Sequence, residues 1–143
     1  MSALPDGYAL VTDQSAIDPV AAHAYLTTSY WSPGIPLETV RRALAGSLCV
    51  AVRHAGAQVA MARVITDRAT FAYLADVYVL DAHRGKGLSK AMVAWFHAHP
   101  ELQGLRRWML MTRDAHGLYT QFGWTPLAHP ALAMERHDPA VYA

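Results

Sequence analysis

FAYLADVYVL (residues 71–80) runs directly into DAHRGKGLSKAM (residues 81–92), and these two stretches decide how the chain reads. The first is rich in aromatic and β-branched side chains and predicts a long strand. Alternation puts Phe71, Tyr73, Ala75, Val77 and Val79 on one face and Leu74, Asp76 and Tyr78 on the other. The second holds Arg84, Gly85, Lys86, Gly87, Leu88 and Ser89, a short basic loop that opens a helix from about Ser89 to His99, stopped by Pro100. Leu88, Ala91, Met92 and Trp95 recur at helical spacing and form the core face of that helix.

A loop of this kind presents backbone N–H groups to an anion, and the helix dipole adds to the attraction. Its glycines let the backbone approach phosphate closely, and Arg84 and Lys86 supply charge. A pyrophosphate-bearing ligand suits that geometry; an ordinary strand-to-helix turn with solvated charges is the alternative. Two nucleotide motifs do not fit. A Walker loop needs Ser or Thr after its Gly-Lys, whereas Leu88 follows Gly87 here, and the dinucleotide fingerprint needs a third glycine at position 90, which is Lys90.

Working outward, Tyr8 to Thr12 predicts a first strand. Asp18 to Tyr30 predicts a helix with Asp18 at its cap and Pro19 at its first position. Trp31 to Pro36 is a loop, and Leu37 to Ala45 a second helix ending near Gly46. Ser47–Arg53 and Gln58–Ile65 are strands that a turn at His54–Gly56 joins into a hairpin. Downstream come a strand at Arg107–Thr112, a short helix at Ala115–Phe122 closed by Gly123, and a tail strand around Leu132–Glu135. The order predicts a mixed α/β (α+β) fold, with an antiparallel first half and a strand–loop–helix–strand unit after it. One domain over residues 1–143 is expected, with its core at about 7–137.

Composition narrows the class. The chain has 143 residues, 53% apolar and 16% charged, as a compact globular domain has. A net charge of +1 without a basic run argues against nucleic acid. There is no basic-then-apolar leader and no apolar run of about 18 residues, so no membrane association is expected. The one cysteine, Cys49, sits in an apolar run and reads as a small buried hydrophobe, which suits the cytoplasm. Eight histidines raise the question of a metal. His97 and His99 point to different helix faces, no ligand partner stands at the right spacing, and no metal site is expected.

The pattern Arg84-Gly85-Lys86-Gly87-Leu88-Ser89 after a long strand resembles the acyl-CoA pyrophosphate loop of the GCN5-related N-acetyltransferases, with Ser89 in the last small-residue position. A second segment, Ala115-His-Gly-Leu118-Tyr119-Thr-Gln-Phe122-Gly123-Trp124, resembles the family's Ala-x-x-Leu-Tyr-x-x-x-Gly-Phe, with Trp124 for the usual Phe. The resemblance covers about the last two-thirds of the chain.

It implies a twisted mixed sheet, V-shaped between the fourth and fifth strands, with helices on both faces. It also implies an acetyl-CoA-dependent N-acetyltransferase that works by direct attack of an amine. Arg84 to Ser89 would hold the pyrophosphate. The backbone of Val77, Tyr78 and Val79 would pair with the pantetheine arm, and an N–H near Val79 would polarise the thioester. Thr112 stands where the family often has a cofactor-contacting Asn, and His116 lies near the same end. Tyr119 matches the family's general acid. Asp76, a carboxylate within an apolar strand, is the candidate general base, or else a structural group paired with an arginine such as Arg63 or Arg113. Tyr30 and Trp31 would wall the acceptor pocket. The acceptor would be a small-molecule amine or a peptide N-terminus, and a homodimer is possible on family grounds. A non-catalytic CoA sensor or a partner-binding module on the same fold is the alternative.

Overall fold

The computed structural model describes residues 4–143. The elements run β1 (Tyr8–Val11), α1 (Pro19–Leu26), α2 (Leu37–Ala45), β2 (Leu48–His54), β3 (Ala57–Thr66), β4 (Phe71–Val79), α3 (Leu88–Ala98), β5 (Arg107–Leu110) and α4 (His116–Thr120). The five strands form one sheet in chain order; every neighbouring pair is antiparallel except β4 and β5, which are parallel.

The β2–β3 hairpin closes through Ala55 and Gly56, both at positive φ (51° and 80°). That two-residue turn matches the right-handed twist of the flanking strands. Alternation on β2 then divides the core. Leu48, Val50 and Val52 face α3 and pack with Leu88, Met92, Val93 and Phe96. Cys49 and Ala51 face the other way, against Ala22, Leu26 and Val40 of α1 and α2. The sheet is therefore covered on both sides.

Asp18 caps α1 by accepting from the N–H groups of Val20 and Ala21. The helix stops at Leu26 and not at Tyr30 as the composition suggests. Its end is a Thr-Thr-Ser run in which the hydroxyls of Thr28 and Ser29 bond back to Tyr25 and Leu26 carbonyls, competing with the helical ladder.

Three further expectations are corrected. In β4 the simple alternation breaks: Met61 pairs with Tyr78 and Arg63 with Ala75, so Asp76 and Val77 together oppose one residue of β3. This is a β-bulge, and Asp76 sits at φ 54° in the left-handed region. The extra residue flips the phase. Ala72, Leu74, Val77 and Val79 share the α3 side, while Tyr78 joins the α1–α2 side. Next, β5 ends at Leu110, two residues short of Thr112. Finally, no strand forms at Leu132–Glu135. A 3-10 turn occupies Pro130–Leu132, and Leu132 and Met134 are 81% and 98% exposed. Local alternation without a neighbouring edge to pair with does not make a strand.

Phe96 is the largest fully buried side chain, seated where α3 meets the sheet. Phe96→Ala is expected to cost about 3–5 kcal/mol, read as a lower urea midpoint with an unchanged slope.

Candidate active site

β4 and β5 pair only from Phe71–Arg107 to Leu74–Leu110. β4 then continues for five residues while the chain leaves the sheet after Leu110, so the two arms diverge into a V. The wedge is a cleft of about 1490 Å³. Its floor is β4 from Tyr73 to Val79; its walls are the loop before α3, Leu110 and residues 111–115 after β5, the loop between α1 and α2, and the tail at Glu135–His137 and Pro139. The N–H of Leu80 donates to the Val59 carbonyl at 2.9 Å, towards β3. Backbone alternation therefore turns the N–H groups of Val77 and Val79 towards the cleft.

At one end the cleft meets the glycine loop. Gly85 and Gly87 have φ of 76° and 78°, a region that costs other residues about 1–2 kcal/mol. A Cβ on either would point into open space, so the backbone there is open to approach. Gly87 caps α3 without a side chain, and the first amides of the helix, at Leu88, Ser89 and Lys90, stay outside its ladder. Arg84 is a brace as well as a charge: its Nε donates to the Val79 carbonyl at 3.1 Å, and its guanidinium reaches the Tyr25 hydroxyl at 3.1 Å and Asp81 at 3.0 Å. Lys86 does not line the cleft, whereas Lys90 does.

On the other arm Thr112 and Tyr119 line the cleft and His116 does not. The Thr112 hydroxyl accepts from the N–H of Ala115 at 3.0 Å, which starts the turn into α4. Tyr119 is 7% exposed. Burial, with a smaller contribution from Tyr30, pushes its phenol up to about 12, so it stays protonated at neutral pH. No fully buried side-chain polar atom among the described residues lacks a hydrogen bond.

The loop between the first helices ties the two arms of the V together. Trp31 Nε1 donates to Asp76 Oδ1 at 2.8 Å, on the β4 side. The Tyr30 hydroxyl accepts from the N–H of Arg113 at 3.2 Å, on the β5 side, and the Arg113 guanidinium lies 3.9 Å from the Tyr30 ring centre. Asp76 Oδ2 accepts from Arg63 Nε at 2.6 Å, and the pair is largely shielded, with side chains 16% and 8% exposed for Arg63 and Asp76. Each carboxylate oxygen thus has a protein partner.

The structure brings Tyr30, Trp31, Asp76, Val77, Tyr78, Val79, Arg84, Gly85, Gly87, Leu88, Ser89, Thr112 and Tyr119 to one cleft and leaves Lys86 and His116 outside its lining. Sequence reasoning missed Tyr25, Tyr73, His83 and Lys90, which also line it. Lys90 alone had a legible signal, standing in the first turn of the helix that the loop opens. Cys49 is buried away from the cleft, and desolvation holds its thiol up at about 11, unreactive at neutral pH. No cluster of three or more potential metal ligands occurs among the described residues. The arrangement offers amides and cations for an anionic chain at one end, an aromatic wall at the other, and a protonated phenol in the same cleft.

Comparison with known proteins agrees. Residues 45–126 match the acetyltransferase (GNAT) domain family. The crystal structure of a candidate GNAT acetyltransferase from Xanthomonas campestris pv. campestris is 48% identical; the match covers 99% of each chain with a TM-score of 0.93. A candidate acetyltransferase of Gibberella zeae is 29% identical over 140 residues, covering 78% of this chain and 75% of the relative. One from Deinococcus radiodurans R1 shares the fold, with a TM-score of 0.75 at 19% identity over 96% of this chain and 92% of that one. Among the described residues no helix is long and apolar enough to cross a membrane. With the family's domain matched over more than half of its length, the chain belongs to the GNAT acetyltransferases.

Proposed function

We propose that the protein transfers the acetyl group of acetyl-CoA to an amine by direct attack, as one catalytic domain over residues 1–143 working in the cytoplasm. The observation that carries this is the continuity of the cleft from the open loop at Gly85–Ser89, past the inward N–H groups of Val77 and Val79, to Tyr119. The amides at the start of α3, with Arg84 and Lys90, hold the pyrophosphate. The backbone of Val77 to Val79 orients the pantetheine arm, and the Val79 N–H stabilises negative charge developing on the thioester oxygen. The acceptor, a small-molecule amine or a peptide N-terminus, enters past Tyr30 and Trp31. A C–N bond forms, the C–S bond breaks, and Tyr119 donates to the departing thiolate. With its phenol at about 12, Tyr119 remains a donor throughout the neutral range.

Asp76 admits two roles. As general base it would take the proton the amine loses. Its bonds to Arg63 and Trp31 favour a second role, in which it holds the bulge and the aromatic loop in place and the proton leaves through water.

Calorimetric titration with acetyl-CoA comes first. The Arg84→Ala/Lys90→Ala variant is expected to bind about 10- to 100-fold more weakly; equal affinity would remove these two cations from the site. Tyr119→Phe should lower kcat by about 10²–10⁴ in thiol release with a panel of primary amines, leaving acetyl-CoA affinity unchanged. A non-catalytic CoA sensor predicts no thiol release from either protein. Asp76→Asn should destabilise by about 3–5 kcal/mol, because it uncouples a shielded ion pair. If Asp76 positions, kcat stays within about tenfold of the wild type; loss on the scale of a missing base, about 10²-fold or more, would assign it that role.

A further inference from the structure

We propose that His97 is a positioning residue for Tyr119, acting through Trp124, and that it must be neutral to do so. The inference rests on the reading of Tyr119 as the general acid.

His97 lies in the last turn of α3, and Trp124 follows α4. Trp124 Nε1 donates to His97 Nε2 at 3.0 Å. An indole N–H can only donate, so Nε2 must carry its lone pair and the ring proton must sit on Nδ1. Trp124 is in turn bound to the catalytic segment. Its backbone N–H donates to the Tyr119 carbonyl at 3.3 Å, and its ring lies 5.9 Å from the Tyr119 ring. Trp108 of β5 and Phe122 complete an aromatic box around the imidazole, with ring centres 4.6 and 5.8 Å away. Helix α4 has five residues, too few to hold its own shape, so its placement depends on such contacts.

Protonation would set two donors against each other. The imidazolium would carry N–H on both nitrogens, leaving Nε2–H facing the indole N–H inside an aromatic box that offers no counter-charge. Of the side chains forming this assembly, Trp108, Phe122, Trp124 and Tyr119, only Tyr119 titrates, and it is neutral. Burial alone pulls the imidazole below its ordinary value of 6.5. The sign follows. Above about pH 6.5 the neutral ring holds Trp124, and as pH falls from there towards the lower folded pKa both the bond and its share of stability are lost.

Six proteins test this: wild type, Tyr119→Phe, Trp124→Phe, His97→Gln, which retains an acceptor but does not titrate, His97→Leu, which has neither property, and His97→Leu combined with Tyr119→Phe. Tryptophan emission is followed from pH 8 to 4.5, with Trp124→Phe to assign the signal. The wild type should show a step below pH 6.5 that His97→Gln lacks and that Trp124→Phe reduces to the response of Trp108, whose ring lies 4.6 Å from the imidazole. In thiol release from acetyl-CoA, kcat of the wild type should fall over the same interval. His97→Gln should lose that component and keep its pH 8 rate within about threefold. His97→Leu should lose about 10- to 100-fold in kcat at pH 8 with unchanged acetyl-CoA affinity, and cost nothing further in the Tyr119→Phe background. A Trp124-dependent emission step that persists in His97→Gln overturns the proposal, as do His97→Leu and Tyr119→Phe losses that multiply; a step from Trp95, whose ring lies 5.1 Å from His99, is independent of Trp124. If Tyr119→Phe alone is silent, the acid assignment fails and the positioning role with it, while the emission step still decides whether His97 holds Trp124.

Discussion

A carboxylate cannot lie unpaired against the face of a sheet without heavy cost, and the way Asp76 avoids this shapes the site. It takes a left-handed conformation in β4, engages Arg63 from the neighbouring strand and receives the indole N–H of Trp31 from the first helical loop. The extra residue absorbed at that point is the bulge that bends β4. β4 and β5 already part after Leu74 and Leu110, two residues before the bulge, and the wedge between them becomes the cleft. One ion pair therefore joins the register of the β3–β4 ladder, the floor of the cleft and the placement of the aromatic loop.

The cleft divides by chemistry. The end at the glycine loop depends on backbone: two glycines at positive φ, free amides at the start of α3, and cations at the rim. Arg84 shows how such a loop is stiffened, since its guanidinium spans the end of β4 and the Tyr25 hydroxyl of α1. The end at the aromatic loop depends on side chains. Tyr30 reaches the β5 arm and Trp31 the β4 arm, so this loop closes over both sides of the V. Tyr119 lines the same cleft, on a helix too short to be independent, and Trp124, which contacts it, is bonded to His97 of α3.

Local chemistry made much of this legible. The hairpin at Ala55–Gly56, the cap at Asp18 and the glycine loop before α3 each depend on residues adjacent in the chain and appear where the sequence puts them, except that the loop ends at Gly87 and Leu88 and Ser89 already belong to the helix. The misses have two causes, tertiary strand pairing and local side-chain competition. The phase flip at Asp76 depends on how β4 pairs with β3. The early end of α1 reflects hydroxyls outcompeting the helical ladder. The absent tail strand reflects the want of an edge to pair with. None of these is encoded in the period of its own segment.

The sequence by itself determined the family, the loop and the candidate acid, because glycine spacing, a basic strand-to-helix turn and the Leu118-Tyr119 segment are local patterns. Only the tertiary structure decided what those parts can do together. Asp76 acquires Arg63 and Trp31 as partners, Lys90 enters the cleft while Lys86 stays outside, and His97 becomes the acceptor that anchors Trp124. Each of these joins segments distant in the chain. Burial and hydrogen-bond direction are properties of such meetings, and no single stretch of sequence contains them.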